Sequence, residues 1–171
     1  MKLDLPVLLV LLTLAAAAQT LLPGMPGSLL KIPFLSGVVV YYALNRPLVM
    51  SLVAAVWAGW LTDSGGGLPV FCTGAFLLLL VLVLQPLRRF LDGSFVGVVA
   101  VATGVALLQA LWQLSWAHLA LPGSAWRVAG DFVLLLPAGV LAGAVAYGVG
   151  HTLDRFAGNV KEREELQGQR L

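Results

Sequence analysis

Long apolar runs, broken only by short groups of proline, glycine or charge, leave this chain very few folds. In order they cover Leu5–Leu22, Ile32–Leu44, Leu48–Leu61, Leu68–Leu84, Phe95–Leu121 and Val128–Gly150. Most of them approach the ~20 residues a helix needs to cross the hydrocarbon core of a bilayer. Of the 171 residues, 60% are hydrophobic and only 11% are charged, with a mean hydropathy of +0.95. Soluble domains carry roughly a quarter charged residues, so this composition cannot cover a water-facing surface. The expectation is an all-α membrane protein, a bundle of six transmembrane helices over residues 1–150 with a short charged tail over 151–171.

The breaks between runs carry backbone reasons. Pro23, Gly24, Pro26 and Gly27 form the first, and the tight Asn45–Arg46–Pro47 turn joins the second run to the third. Pro33 suits a first helical turn, where a missing N–H costs nothing. The second run is short for a span, which predicts tilting or local thinning of the bilayer around it. Gln85–Pro86 and Arg88–Arg89 close the fourth run, Pro122–Gly123–Ser124 closes the fifth, and Pro137 is expected to kink the sixth. Met1–Lys2, the Leu/Val stretch and Ala15–Ala18 also imitate a cleavable secretory signal, which would leave five spans. Asp4 within the would-be basic region and continuation through Leu21–Leu22 argue for a retained helix.

Charge placement sets the orientation. With both termini inside, Lys2, Arg46, Arg88, Arg89, Arg155, Lys161, Arg163 and Arg170 are cytoplasmic, against Lys31 and Arg127 outside, eight to two. Such a bias is the positive-inside pattern of an inner-membrane protein. From His151 onward the sequence becomes mixed in charge, and Gly158–Asn159 is expected to interrupt any helix there. That tail reads as solvated, or as a docking site for a cytoplasmic partner.

Few polar residues stand within the apolar runs. Asp63 ends the third run, where the helix dipole disfavours an anion, so something must compensate. Candidates are a nest of backbone N–H groups over Ser64–Gly67, the start of the fourth helix, or Lys31 and Arg127. Asp63 is therefore either a structural acid folding the turn or a contact for a partner. Gln109, Gln113 and Trp116 recur at helical spacing in the fifth run and face protein, either within the bundle or on another membrane protein. Small residues four apart (Gly93/Gly97, Ala100/Gly104, Gly139/Gly143) allow close helix approach.

No catalytic constellation, cofactor motif or metal-ligand spacing is present, and the single cysteine, Cys72, excludes an intrachain disulfide. The sequence thus points away from an enzyme and away from nucleic acid.

The GWLTD ending of the third run, with Gly59, Leu61 and Asp63, precedes a glycine-containing start to the next through Gly67 and Gly74. Together with the IPFL entry to a short second helix and the overall layout, this resembles the rod shape-determining protein MreD family. Pro33 fits that family's proline before the second span, whereas Phe34 stands where an acid is often found. The resemblance implies a non-enzymatic component of the bacterial cell-elongation and peptidoglycan-synthesis machinery in the cytoplasmic membrane. Its implied partners are an MreC-like bitopic membrane protein, MreB, RodA and a penicillin-binding transpeptidase. The alternative is the substrate-binding subunit of an energy-coupling-factor vitamin transporter, a bundle of similar size whose fold the MreD family is thought to share. Those subunits usually show an Ala-x-x-x-Ala pattern in the first helix, whereas here Gln19 stands four after Ala15.

Overall fold

The computed structural model describes residues 4–21, 32–66, 71–91, 93–120 and 125–168, with side-chain surroundings for 5–21, 32–64, 71–91, 93–113, 115 and 135–156. These residues form α1 (Asp4–Leu21), α2 (Phe34–Asn45), α3 (Leu48–Gly66), α4 (Cys72–Leu87), α5 (Phe95–Ala120) and α6 (Ala125–Gly168). No strand occurs among them. The protein is all-helical. Within α5 and α6, Phe95–Gln113 and Leu135–Phe156 are long and apolar enough to cross a membrane; the apolar stretches of the other four helices are shorter.

Neighbour relations place α2 at the centre. It adjoins every other helix, and these close a ring in the order α1, α3, α4, α5, α6 and back to α1. Every residue of α2 from Phe34 to Leu44 is buried. A helix apolar on all sides has no other stable place in a bundle. At 12 residues α2 is only about 18 Å long.

Glycine and alanine bring the helices together. A Cβ at Gly139 would lie 2.8 Å from the Thr103 Cα, and one at Gly143 2.9 Å from the Val99 Cα. Both positions need glycine because the α5 and α6 backbones almost touch there. Gly59 of α3 faces Gly74 of α4 so closely that a Cβ at Gly59 would lie 2.2 Å from the Gly74 Cα.

Three boundaries differ from expectation. α3 continues past Leu61 to Gly66, which puts Asp63 inside the helix. α4 starts at Cys72 and not at Leu68, because Phe71 takes a left-handed conformation (φ 71°) that no α-helix continues through. α6 runs unbroken to Gly168, through the Gly158–Asn159 pair expected to interrupt it. One glycine costs a helix only about 1 kcal/mol. An already formed helix needs no new nucleus, and Lys161–Glu165 are strong helix formers. The turn residues Pro23–Gly27 and Pro122–Ser124 lie outside the described residues.

Candidate functional site

A closely constrained place among the described residues is the corner where α3 meets α4. Asp63 is 5% exposed, and its two carboxylate oxygens accept the Thr73 backbone N–H at 3.1 and 3.0 Å. The first N–H groups of a helix have no intrahelical partner and carry its positive end. α4 thus supplies the compensation that Asp63 lacks at the end of its own helix. A nest at Ser64–Gly66 does not form, because these residues continue α3. Gly67 and Lys31 lie outside the described residues, as do the side chains of Arg127 and Trp116.

Around this bond the corner is close-packed. Gly59 and Gly74 let α3 and α4 approach until a carboxylate on one reaches the backbone of the other. The Phe71 ring covers Gly74, where a Cβ would stand 3.0 Å from it, and the Phe71 carbonyl accepts the Ala75 N–H at 3.0 Å. A left-handed non-glycine residue costs about 1–3 kcal/mol and persists only where its surroundings hold it. From α5, the Trp112 indole N–H donates to the Cys72 carbonyl at 3.2 Å, and its ring lies 5.9 Å from that of Phe76. The Thr73 hydroxyl is fully buried and has no partner among the described residues.

Gln109 stands apart from Asp63 and turns inward. It is 4% exposed, and its side-chain oxygen accepts the Ser36 hydroxyl of α2. Gln113 is half-buried on the same helix. Thus Gly59 and Asp63 share one corner with Gly74, whereas Gln109 joins α5 to the central helix.

A second polar group lies at the opposite end of the bundle, where α2 ends inside the ring. There the Arg46 guanidinium pairs with Asp154 of α6, and the Tyr41 hydroxyl donates to the same carboxylate at 2.6 Å. Ser51 donates to the Tyr42 carbonyl at 2.9 Å, and the Gln85 amide nitrogen donates to the carbonyls of Ala43 and Arg46 at 3.2 and 3.3 Å. Arg88 donates to the Arg46 carbonyl at 3.2 Å. Tyr147 stacks on His151 at 5.5 Å and meets Tyr41 edge-on at 6.0 Å. The last carbonyls of any helix lack internal partners, and a buried helix end must find them in side chains. From the sequence, Arg46 has only topological weight and Asp154 belongs to a tail. The signal for Gln85 is general: an amide in an apolar helix seeks a protein partner.

No group of three or more His, Cys, Asp or Glu side chains converges among the described residues. Comparison of the chain with protein-family models, with curated proteins and with solved structures finds no match in any of the three. What both polar centres do chemically is the same. Each satisfies backbone groups at a helix end by means of a side chain from another helix.

Proposed function

We propose that this chain is a non-enzymatic, multi-pass component of a bacterial cytoplasmic membrane, acting as a scaffold of the cell-elongation machinery in the manner of the MreD family. The observation that carries this reading is the α3–α4 corner. Gly59, Asp63 and Gly74, which underlie the family resemblance, fasten two apolar helices to each other. A scaffold needs such rigidity more than it needs an open reactive centre. The outward surface supports a lipid environment: Leu9, Leu14, Val56, Trp57, Leu79, Leu82, Leu108 and Val140 are all exposed. Large apolar side chains thus face outward on five of the six helices, as a lipid environment would favour. The eight-to-two distribution of basic residues supports an orientation with the Arg46–Asp154 end and both termini in the cytoplasm.

Affinity purification of the chain from its native membrane tests the reading. The expected result is recovery of a single-span protein with a large external domain, of the MreC kind. Stoichiometric retention of a vitamin, together with recovery of ATPase subunits, would overturn it in favour of a transporter subunit.

A further inference from the structure

Two outward faces of the ring have no role within the chain. On α3, Val49, Val56, Trp57 and Trp60 are exposed, with Val53 half-buried among them. Positions 49, 53, 56 and 60 follow the 4-3-4 spacing of a helix-pairing seam. Trp57 and Trp60 pack edge to face at 5.5 Å, and neither indole N–H has an acceptor among the described residues. Trp57 stands nine residues into the 19 of α3, about 14 Å from its start. In a chain that spans the bilayer this is mid-hydrocarbon depth. Tryptophan belongs at the interfaces, and a donor at the centre has nothing to bond but protein.

On α5, Val96, Ala100, Gly104, Leu108 and Leu111 form the exposed stripe. A Cβ at Gly104 would meet nothing within 4 Å, unlike those at Gly139 and Gly143, which are used inside the chain. Gly104 also stands nine residues into its helix, and α3 and α5 start at the same end of the bundle. The missing side chain leaves the Ala100 carbonyl, one turn below, open to a second donor through its free lone pair. Among the described residues α3 and α5 do not adjoin each other. A ridge with unpaired donors and a groove with an open acceptor therefore lie at one depth, on separate faces, with their helices running in the same direction.

We propose that the occupant of the α3 ridge is a second copy of this chain, its Trp57 and Trp60 seated in the Ala100–Gly104 groove of α5. The contact is head to tail, so successive copies form a ring or a row in the membrane plane. It rests on the membrane-spanning part of the proposed function and is independent of the elongation partners.

The test uses the full chain in native membranes, with Cys72→Ser removing the single native thiol. Val49 and Val96 each stand one residue into their helices and are exposed at the same end. Copies with Val49→Cys, co-expressed with copies with Val96→Cys, should cross-link to each other through a short bismaleimide, and neither should cross-link to itself. Trp57→Phe and Trp60→Phe keep the ring and lose the donor. Combined in one chain they should weaken association by roughly threefold, one average interhelical hydrogen bond in a membrane, because the Ala100 carbonyl has a single free lone pair for one indole N–H. Gly104→Leu should abolish the mixed product; should that variant fail to accumulate, the double Phe variant decides. The proposal is overturned by absence of the mixed product, by Val49→Cys self-linking, by yields that merely follow expression level, or by a double Phe variant that links like the parent. A chain released from membranes by alkaline washing would defeat the membrane reading itself. A firmly inserted chain with no mixed product would defeat only the self-association.

Discussion

Asp63 keeps its carboxylate in a place that is 5% exposed because one backbone N–H on a neighbouring helix donates to both of its oxygens. Asp63→Asn retains an acceptor oxygen but loses the charge, which should cost about 1 kcal/mol. Asp63→Leu leaves the Thr73 N–H unpaired and should cost about 1–3 kcal/mol. Melting temperatures in detergent should therefore fall in the order parent, Asn, Leu; a Leu variant as stable as the parent would sink this account of the corner. Thr73 offers the opposite test. Its buried hydroxyl has no partner among the described residues, and valine replaces that hydroxyl with a methyl of similar volume. Thr73→Val should raise stability by about 1 kcal/mol, since desolvating an unpaired hydroxyl has no compensation. A lower melting temperature would instead mean that the hydroxyl is bonded. The need for compensation at Asp63 was legible in the sequence from the helix dipole alone. The identity of the donor was not, because Thr73 becomes available only when Phe71 ends its left-handed turn at the start of α4.

At the scale of elements, the central helix depends on its neighbours to finish it. The carbonyls of Tyr42, Ala43 and Arg46 at its C-terminal end accept side chains of Ser51, Gln85 and Arg88, while its own Asn45 donates to the Tyr41 carbonyl. Gln85→Leu keeps the bulk of that side chain, strands the Ala43 carbonyl and leaves the Arg46 carbonyl to Arg88 alone, so it should destabilise the protein by about 1–3 kcal/mol. Detergent melting checks this, and a loss no larger than that of an exposed substitution such as Leu82→Ala would count against it. The α3–α4 contact has a steric test. Gly59→Val pushes a branched side chain into the Gly74 backbone, and overpacking of this kind costs typically ~1–3 kcal/mol. Gly148→Val, whose Cβ would meet nothing within 4 Å, is the matched control. Equal stability of the two variants would show that the helices do not meet as described. Helix positions were readable from the apolar runs and their Pro/Gly breaks, whereas α6 outran its expected end. Composition marks where a surroundings-facing segment becomes polar, but it does not mark where a helix stops.

For the whole molecule, the alternation of helix direction puts the start of α3, the end of α4 and the start of α5 at the Arg46–Asp154 end. Reporter fusions should place Arg46, Arg89 and the C-terminus on the cytoplasmic side and Gly65 on the other. An external C-terminus would overturn the proposed six-span arrangement. Helical class, the number of helices and their near boundaries follow from the sequence by itself, because hydrophobic run length and backbone breakers act locally. Placement of α2 inside a ring of five was decided only in three dimensions. Its apolar character on every side permits burial but names no neighbours. The same holds for the pairing of Arg46 with Asp154, 108 residues away, and of Ser36 with Gln109. Hydrogen bonds between distant segments depend on which helices adjoin and at what height. That is set by where glycine and alanine let backbones touch, a property of pairs of helices that no single stretch of sequence contains.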